Sequence, residues 1–244
     1  MVNLVEAKNI WKVYGEDIIL ENLNFSMKDG EFCTLVGPSG CGKTTFLRML
    51  LGVDTPSKGV LKFKGNDYPK EPSDERGIVF QRYSTLSHLN VIDNVIIGLE
   101  FEKSKFFGKL FGKEKKEAYE KAYEILKAVG LDNAKDKYPH ELSGGMKQRL
   151  SIAQSLVKEP KLLLLDEPFG ALDPGISADM HDLLLDIHVK LNFGVVMVTH
   201  DISEAFKLGT RVLVFDKVKT DKDYPNRYGS TIVNDIDASK KGKK

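Results

Sequence analysis

A glycine-rich segment near the start of the chain has the spacing of a phosphate-binding loop. It reads Gly37, Pro38, Ser39, Gly40, Cys41, Gly42, Lys43 and Thr44. The glycines let the backbone curl so that successive N–H groups point at one anion, and the ammonium of Lys43 adds a positive charge beside the β and γ phosphates. The hydroxyl of Thr44 is then left to ligate Mg²⁺. The spacing therefore predicts a nucleotide site, which we call the phosphate loop.

The residues on either side of the phosphate loop supply the context that the motif requires. An apolar run at residues 32–36 precedes it, and a helical pattern from Thr45 to residue 51 follows it. A strand-to-helix turn that ends in lysine and threonine by chance is the alternative, and the flanking patterns disfavour it. Cys41 could be a reactive thiol, because the helix N-terminus and Lys43 both stabilise a thiolate. A small residue that fills the turn is the favoured interpretation.

Two adjacent carboxylates follow the apolar run at residues 162–165, namely Asp166 and Glu167. Ligands of open α/β sheets lie beyond the carboxyl ends of the strands, so both acids are expected near the phosphate loop. Because successive strand residues point in opposite directions, the two carboxylates cannot share one task. Asp166 fits the Mg²⁺ shell, and Glu167 fits the polarisation or deprotonation of an attacking water. The alternative is that the acids merely end the strand before Pro168.

A second helix start with the features of an anion site lies at residues 142–145, where Leu142 and Ser143 precede Gly144 and Gly145. Exposed backbone N–H groups and the helix dipole favour phosphate here as well. One nucleotide does not need two such sites in one chain, and Ser143 taken alone is best interpreted as a helix cap.

Residues 142–145 resemble the signature motif of the ATP-binding cassette (ABC) ATPases, and the other motifs of that family follow in the family's order over nearly the whole chain. Tyr14 matches the aromatic residue that stacks on adenine, and Gln81 matches the glutamine of the Q-loop. Asp173, after Ala171 and Leu172, matches the D-loop, and His200 matches the switch histidine at the γ-phosphate. Met146 stands where the family commonly has glutamine, which leaves the helix start intact.

The resemblance implies a role for each of these residues. It makes Lys43, Glu167 and His200 catalytic, and it makes Thr44, Gln81 and Asp166 the ligands of Mg²⁺. The residues that it places around ATP are Tyr14, the phosphate loop 37–44, Thr45, Gln81, Ser143, Gly144, Gly145 and Asp173.

Three of these residues could instead have an ordinary structural role. Tyr14 could be an ordinary half-buried aromatic, with Trp11 as a rival; Gln81 could only close a strand; and His200 could be a core imidazole. The remaining histidines have no such placement, and no role is assigned to them: His88, His140, His181 and His188.

The resemblance also implies partners. Two copies would face each other head to tail, and each signature helix would cap the ATP of the other copy. This chain would lie at the cytoplasmic face of the membrane and drive separate permease subunits. A solute-binding protein would be a further partner. Residues 169–173 are similar to importers of nitrate, sulfonate or taurine, and the chain ends about 44 residues after His200, without the C-terminal β-domain expected of many sugar and polyamine importers. A soluble ABC ATPase in a non-transport process and a regulatory module without turnover are the alternatives.

Composition excludes several other classes. The 244 residues are 41% hydrophobic and 29% charged, which is typical of a globular protein rather than a disordered one. Lys plus Arg (36) nearly balances Asp plus Glu (35), so no bulk charge favours nucleic acid. Apolar runs are too short to span a bilayer, and the N-terminus lacks the pattern of an export signal. Cys33 and Cys41 fit no metal spacing, which favours a reduced cytosolic protein.

The elements that must position these residues form an α/β pattern. Short apolar runs at residues 32–36, 60–63, 77–80, 162–165, 195–199 and 212–215 predict strands buried on both faces. A helical pattern at 114–129, with Ala118, Ala122, Ile125, Leu126 and Val129 on one face, ends before Gly130.

Together with the resemblance, these patterns predict a single ABC ATPase domain over residues 1–244. Its α/β core is a P-loop NTPase core with a mixed sheet and an N-terminal antiparallel β subdomain, and it takes residues 1–85 and 158–235. A helical subdomain is inserted at 86–157, and 236–244 form a tail. Within the helical subdomain, residues 103–111 interleave lysines with aromatics; a membrane contact and a solvated helix are the two interpretations. Residues 83–88 and the helical subdomain are the candidates for coupling to the membrane subunits.

Overall fold

The computed structural model describes residues 2–81, 83–103, 110–221, 223–224 and 227–239. Its strands are β1 (Val5–Tyr14), β2 (Asp17–Met27), β3 (Phe32–Val36), β4 (Lys58–Phe63), β5 (Asn66–Asp67), β6 (Arg76–Val79), β7 (Leu162–Asp166), β8 (Gly194–Val198), β9 (Arg211–Lys217) and β10 (Ser230–Asp237). Its helices are α1 (Lys43–Leu51), α2 (Val91–Lys103), α3 (Gly112–Ala128), α4 (Gly144–Leu156), α5 (Pro174–Leu191) and α6 (Ile202–Leu208), with short 3₁₀ helices at Asp132–Ala134 and Pro139–Glu141.

The strands form one mixed sheet in the order β5-β4-β1-β2-β10-β9-β3-β8-β7-β6. The half that runs from β9 to β6 is parallel, and its central strands β3 and β8 are buried at every position. Continuous apolar runs made these strands predictable, because a strand covered on both faces has no polar face. In a parallel sheet all carboxyl ends meet at one edge, so the phosphate loop after β3 and Asp166 at the end of β7 share that edge.

The other half of the sheet is antiparallel and is built from β1, β2, β4 and β5. It is connected to the parallel half through β10, which pairs parallel to β2 at Leu20 and Ser230 and antiparallel to β9. The predicted mixed sheet with an antiparallel N-terminal part is therefore confirmed. The apolar runs did not predict β1, β2, β5 or β10, because each of these strands contains exposed positions and therefore lacks a continuous apolar run.

Helices occupy the region that the sequence marks as strand-poor. The predicted helix at 114–129 is α3, which begins two residues earlier, and Ala118, Ala122 and Leu126 are buried in the core that α2, α3 and α4 share. Gly130 then adopts a φ of 70°, which favours glycine and ends the helix. None of the described helices is long and apolar enough to cross a membrane.

The C-terminal strand extends past the predicted end of the core at residue 235. It continues to Asp237, and the backbone N–H of the buried Ala238 donates to the carbonyl of Thr210 at 2.9 Å. Residues 240–244 of the predicted tail, and residues 104–109 of the segment that interleaves lysines with aromatics, lie outside the described residues.

Candidate functional site

The phosphate loop connects β3 directly to α1. At Gly37 a Cβ atom would lie 2.2 Å from the carbonyl oxygen of Phe215, so only glycine fits where the loop leaves the sheet. Gly42 occupies the N-cap position of α1 in the left-handed conformation and offers no capping side chain. The N–H groups of the first turn of α1 are consequently open to an external acceptor, and an anion is the acceptor that this helix end favours.

Lys43 is buried beneath the phosphate loop that it belongs to. Its Nζ donates to the carbonyl oxygens of Gly37 at 2.7 Å and Pro38 at 2.9 Å, and it lies 3.5 Å from Sγ of Cys41. Both Lys43 and Cys41 are less than a tenth exposed. The loop therefore holds a buried ammonium that is hydrogen-bonded to two carbonyl oxygens and a thiol, an arrangement that favours a negatively charged ligand.

A cavity of about 320 Å³ opens over the phosphate loop. Ser39, Gly40, Thr44 and Thr45 line it from the loop side. Glu167 and His200 line it from the ends of other strands. With Ile19 of β2, the cavity thus brings residues from four separate segments of the chain to one anion site.

Thr44 and Asp166 meet at the edge of this cavity. The hydroxyl of Thr44 donates to Oδ1 of Asp166 over 3.3 Å. Burial raises the pKa of Asp166 above its ordinary value, although the hydrogen bond from Thr44 acts in the opposite direction. A hydroxyl beside a partly buried carboxylate is the oxygen donor set that Mg²⁺ prefers, and a cation here would offset the cost of burying the charge. These residues fit a magnesium ion.

Glu167 lies between Gln81 and His200. Its Oε2 is 3.5 Å from Nε2 of Gln81 and 3.5 Å from Nδ1 of His200. The three residues follow the neighbouring strands β6, β7 and β8, and Glu167 belongs to the middle one. Its backbone has a φ of 47°, a strained conformation for a residue other than glycine and one that occurs preferentially at functional sites. Glu167 lines the cavity over the phosphate loop.

The signature residues lie elsewhere. Ser143 caps α4 as predicted, since its hydroxyl oxygen accepts from the N–H of Met146 at 3.3 Å. A Cβ at Gly145 would lie 2.7 Å from Cγ2 of Ile176, so the start of α4 abuts the start of α5. Ser143, Gly144 and Gly145 do not line the cavity over the phosphate loop. The chain therefore carries two separate helix starts suited to an anion.

Two further predicted residues are exposed and do not line the cavity over the phosphate loop. Asp173 is exposed at the N-cap position of α5, and its side chain makes no capping hydrogen bond. Tyr14 ends β1 with 46% of its surface exposed, whereas its rival Trp11 is half-buried within the same strand. Exposure favours Tyr14 over Trp11 as a stacking surface.

Four residues beside the site were not singled out from the sequence. Lys12 and Asp54 contact Tyr14. His181 is hydrogen-bonded to Glu204, and both line a cavity that Phe169 and His200 also line. Their partners lie 23 to 42 residues away along the chain, and no local motif links them.

Comparison with known proteins gives consistent matches. Residues 20–170 match the family model described as ABC transporter. The chain is 44% identical over 200 residues to the nitrate import ATP-binding protein NrtD of Synechocystis sp., covering 82% of this chain and 71% of that protein. It is 40% identical over 215 residues to the sulfate/thiosulfate import ATP-binding protein CysA of Pseudomonas aeruginosa, covering 87% of this chain and 64% of that protein. This chain spans 59% to 64% of the length of several such relatives.

Solved structures share the fold. An ATP-binding cassette solved as a dimer in a post-hydrolysis state with ADP and Pi superimposes with a TM-score of 0.74 at 30% identity, over 96% of this chain and 98% of that one. The cbiO1 protein of Clostridium perfringens, part of the ABC transporter complex cbiONQ, gives a TM-score of 0.81 at 24% identity over 98% of this chain and 90% of that one. The second likeness shows the fold alone.

Proposed function

Since this chain belongs to the ABC transporter family, we propose that it binds ATP with Mg²⁺ and hydrolyses it to drive the import of a small solute through separate membrane subunits. The observation that carries the proposal is the position of Glu167, within 3.5 Å of both Gln81 and His200 at the mouth of the cavity over the phosphate loop. A carboxylate so placed can act on a water beside a bound triphosphate.

The phosphate loop binds the β and γ phosphates. Lys43 exchanges its hydrogen bonds to the carbonyls of Gly37 and Pro38 for bonds to phosphate oxygens, which are stronger because both partners are charged. Backbone N–H groups at the start of α1, with the hydroxyl of Thr45, complete the shell around the phosphates. Tyr14 stacks on the adenine.

Thr44, Asp166 and Gln81 would hold Mg²⁺. When bound there, the ion neutralises charge on the phosphate oxygens. The contribution of the chain is the rigid placement of these oxygens at the ends of strands β6 and β7 and at the start of α1. Support comes from the contact between Thr44 and Asp166 and from the burial of Asp166.

Glu167 takes the proton of a water as that water attacks the γ-phosphorus. A bond forms between the water oxygen and phosphorus, and the bond from phosphorus to the β–γ bridging oxygen breaks, so ADP leaves with the electron pair. His200 and Lys43 stabilise the charge on the transferred group. Nδ1 of His200 lies 3.5 Å from Oε2 of Glu167, which supports the action of both residues on the same γ-phosphate and attacking water.

The active form is a dimer of two copies of this chain. Ser143, Gly144 and Gly145 of each copy cap the ATP held by the phosphate loop of the other, and the exposed Asp173 lies at the contact. Two observations support this arrangement: the start of α4 does not line the cavity of its own chain, and a related cassette was solved as a dimer with ADP and Pi. ATP supplies part of the interface, so hydrolysis opens it.

Transport requires partners that this chain does not supply. Relatives are named as import ATP-binding proteins for nitrate and for sulfate or thiosulfate. We accordingly propose a small solute such as nitrate, a sulfonate or taurine as the cargo, and permease subunits and a solute-binding protein as partners. This chain would lie at the cytoplasmic face of the membrane. Nucleic acid is not expected to bind, because the net charge is only +1.

The coupling surface lies at the junction of the core (residues 1–85 and 158–235) with the helical subdomain (86–157). A groove of about 300 Å³ opens there, between the end of β6 and α4. Phe80 is 44% exposed beside this groove, and Leu86 is 36% exposed in the nearby segment 83–88. A groove that combines the exposed Phe80 with polar lining residues such as Ser151 and Gln154 suits a short helix of a membrane subunit.

Nucleotide binding and turnover test the proposal. Lys43→Ala should weaken the affinity for ATP by more than about tenfold, because it removes a charged hydrogen bond to phosphate. The matched control is Lys115→Ala, which removes an exposed lysine of α3. Wild-type turnover should stop when EDTA removes Mg²⁺ and should rise when the membrane subunits are added. Unchanged affinity in Lys43→Ala, or turnover that persists in EDTA, would contradict the proposal.

A further inference from the structure

The hydroxyl of Tyr14 is tied to a residue beyond the far end of the helix that begins in the phosphate loop. It donates to Oδ2 of Asp54, which lies two residues after Gly52, the C-cap of α1. Asp54 is therefore fixed to the same nine-residue helix that presents its N-terminus to the phosphates. The contact ties the aromatic ring to the segment that follows α1.

Lys12 completes the contact from beneath the ring. Its buried ammonium also bonds to Asp54, through Oδ1, and donates to the carbonyl of Thr55 at 2.9 Å. The same ammonium lies 4.6 Å from the centroid of the Tyr14 ring, within the range of a cation–π contact. The N–H of Thr55 donates to Oδ1 of Asp54 at 2.8 Å. Three donors from different positions thus hold one carboxylate.

The charge states agree with this network. Burial raises the pKa of the Tyr14 hydroxyl, and its hydrogen bond to Asp54 adds to the rise. Burial also acts to raise the pKa of Asp54, but the hydrogen bonds from Lys12, Tyr14 and Thr55 outweigh it and lower that pKa below its ordinary value. A neutral phenol facing an ionised carboxylate therefore persists at neutral pH.

Lys12 covers one face of the Tyr14 ring, while nearly half of the residue is open to solvent. We propose that Lys12 and Asp54 are positioning residues for the base of ATP: they hold the ring of Tyr14 in one orientation, with its opposite face ready to stack on adenine. This inference rests on the proposed function. Holding the ring in place before the ligand arrives lowers the entropy lost on binding.

The test separates contacts to the base from contacts to the phosphates. Asp54→Ala and Tyr14→Phe should each weaken ATP binding about three- to tenfold, the effect of releasing one side chain. Neither should change the affinity for inorganic tripolyphosphate, which uses the phosphate loop but has no base to stack. The double variant should bind ATP no more weakly than whichever single variant has the lower ATP affinity, because both substitutions break the same contact.

Calorimetry with ATP and with tripolyphosphate measures both affinities. Asp67→Ala, which removes an exposed carboxylate from β5, is the matched control and should keep the wild-type ratio of the two affinities. Tyr14→Phe retains the ring and therefore carries the test should Asp54→Ala fold poorly. If Tyr14→Phe and a folded Asp54→Ala both keep the wild-type ratio of the ATP and tripolyphosphate affinities, the inference is overturned but the proposed function is not. A wild-type protein that binds neither ligand would instead overturn the proposed function.

Discussion

Nε2 of His181 lies 2.8 Å from Oε1 of Glu204, and this contact joins α5 to α6. Helix α5 begins after Asp173 and α6 begins two residues after His200, so the pair fixes the two segments that carry these site residues. The ring of His181 also packs edge-on against Phe169, 4.9 Å between centroids. The pair therefore supports the residues beside His200 at the carboxyl ends of the strands.

Removal of His181 should destabilise the protein through Glu204. In His181→Ala the largely buried carboxylate of Glu204 loses the partner that His181 supplies, and we expect a loss of about 2 kcal/mol in the free energy of unfolding. Urea denaturation measures it. The substitution should cost much less in a Glu204→Gln background, where no buried charge is left behind. Equal losses in the two backgrounds would mean that the contact contributes nothing specific.

Replacement of Glu167 by Gln should block hydrolysis while leaving ATP binding intact. The amide keeps the size of the side chain but cannot take a proton, and we expect turnover to fall at least ~100-fold. Because ATP is retained, the variant should accumulate as a dimer in gel filtration with ATP and Mg²⁺. Glu16→Gln, an exposed change in the β1–β2 turn, is the control. Wild-type turnover in Glu167→Gln, or a monomer under these conditions, would argue against the assigned base.

His188 should make stability depend on pH. Burial lowers its pKa below the ordinary value of 6.5, against the opposing effect of hydrogen bonds with backbone groups of Gly30 and Phe193. At pH values between the folded-state pKa of His188 and its unfolded-state pKa, the folded state binds fewer protons than the unfolded state. The stabilising contribution is therefore complete above the unfolded pKa and is lost as the pH falls through the folded pKa.

His188→Asn removes this titration. Between about pH 7.5 and about pH 5.5, we expect the variant to lose less of its free energy of unfolding than the wild type does. Urea denaturation at both pH values measures the difference. His88→Asn replaces an exposed imidazole and serves as the control, with the wild-type dependence expected. A wild-type dependence in His188→Asn would show that another group is responsible.

The parts of the fold that could be predicted are those whose pattern is local. Residues 32–36 are apolar without interruption, and they form β3, buried on both faces. Strand β10 had no such pattern because it is mostly exposed and depends on pairing with β9, whose residues lie earlier in the chain. Strand β1 was missed because register shifts interrupt its alternation of buried and exposed residues.

The site shows the same division. The phosphate loop is contiguous, so the sequence alone determined its glycines, its lysine and the helix start that together favour phosphate. The sequence also determined that two acids end an apolar strand. Only the tertiary structure decided that Glu167 meets Gln81, 86 residues away, and His200 on its other side. Strand order brings these three together, and strand order follows from the burial of dozens of apolar residues acting jointly, which no short motif encodes.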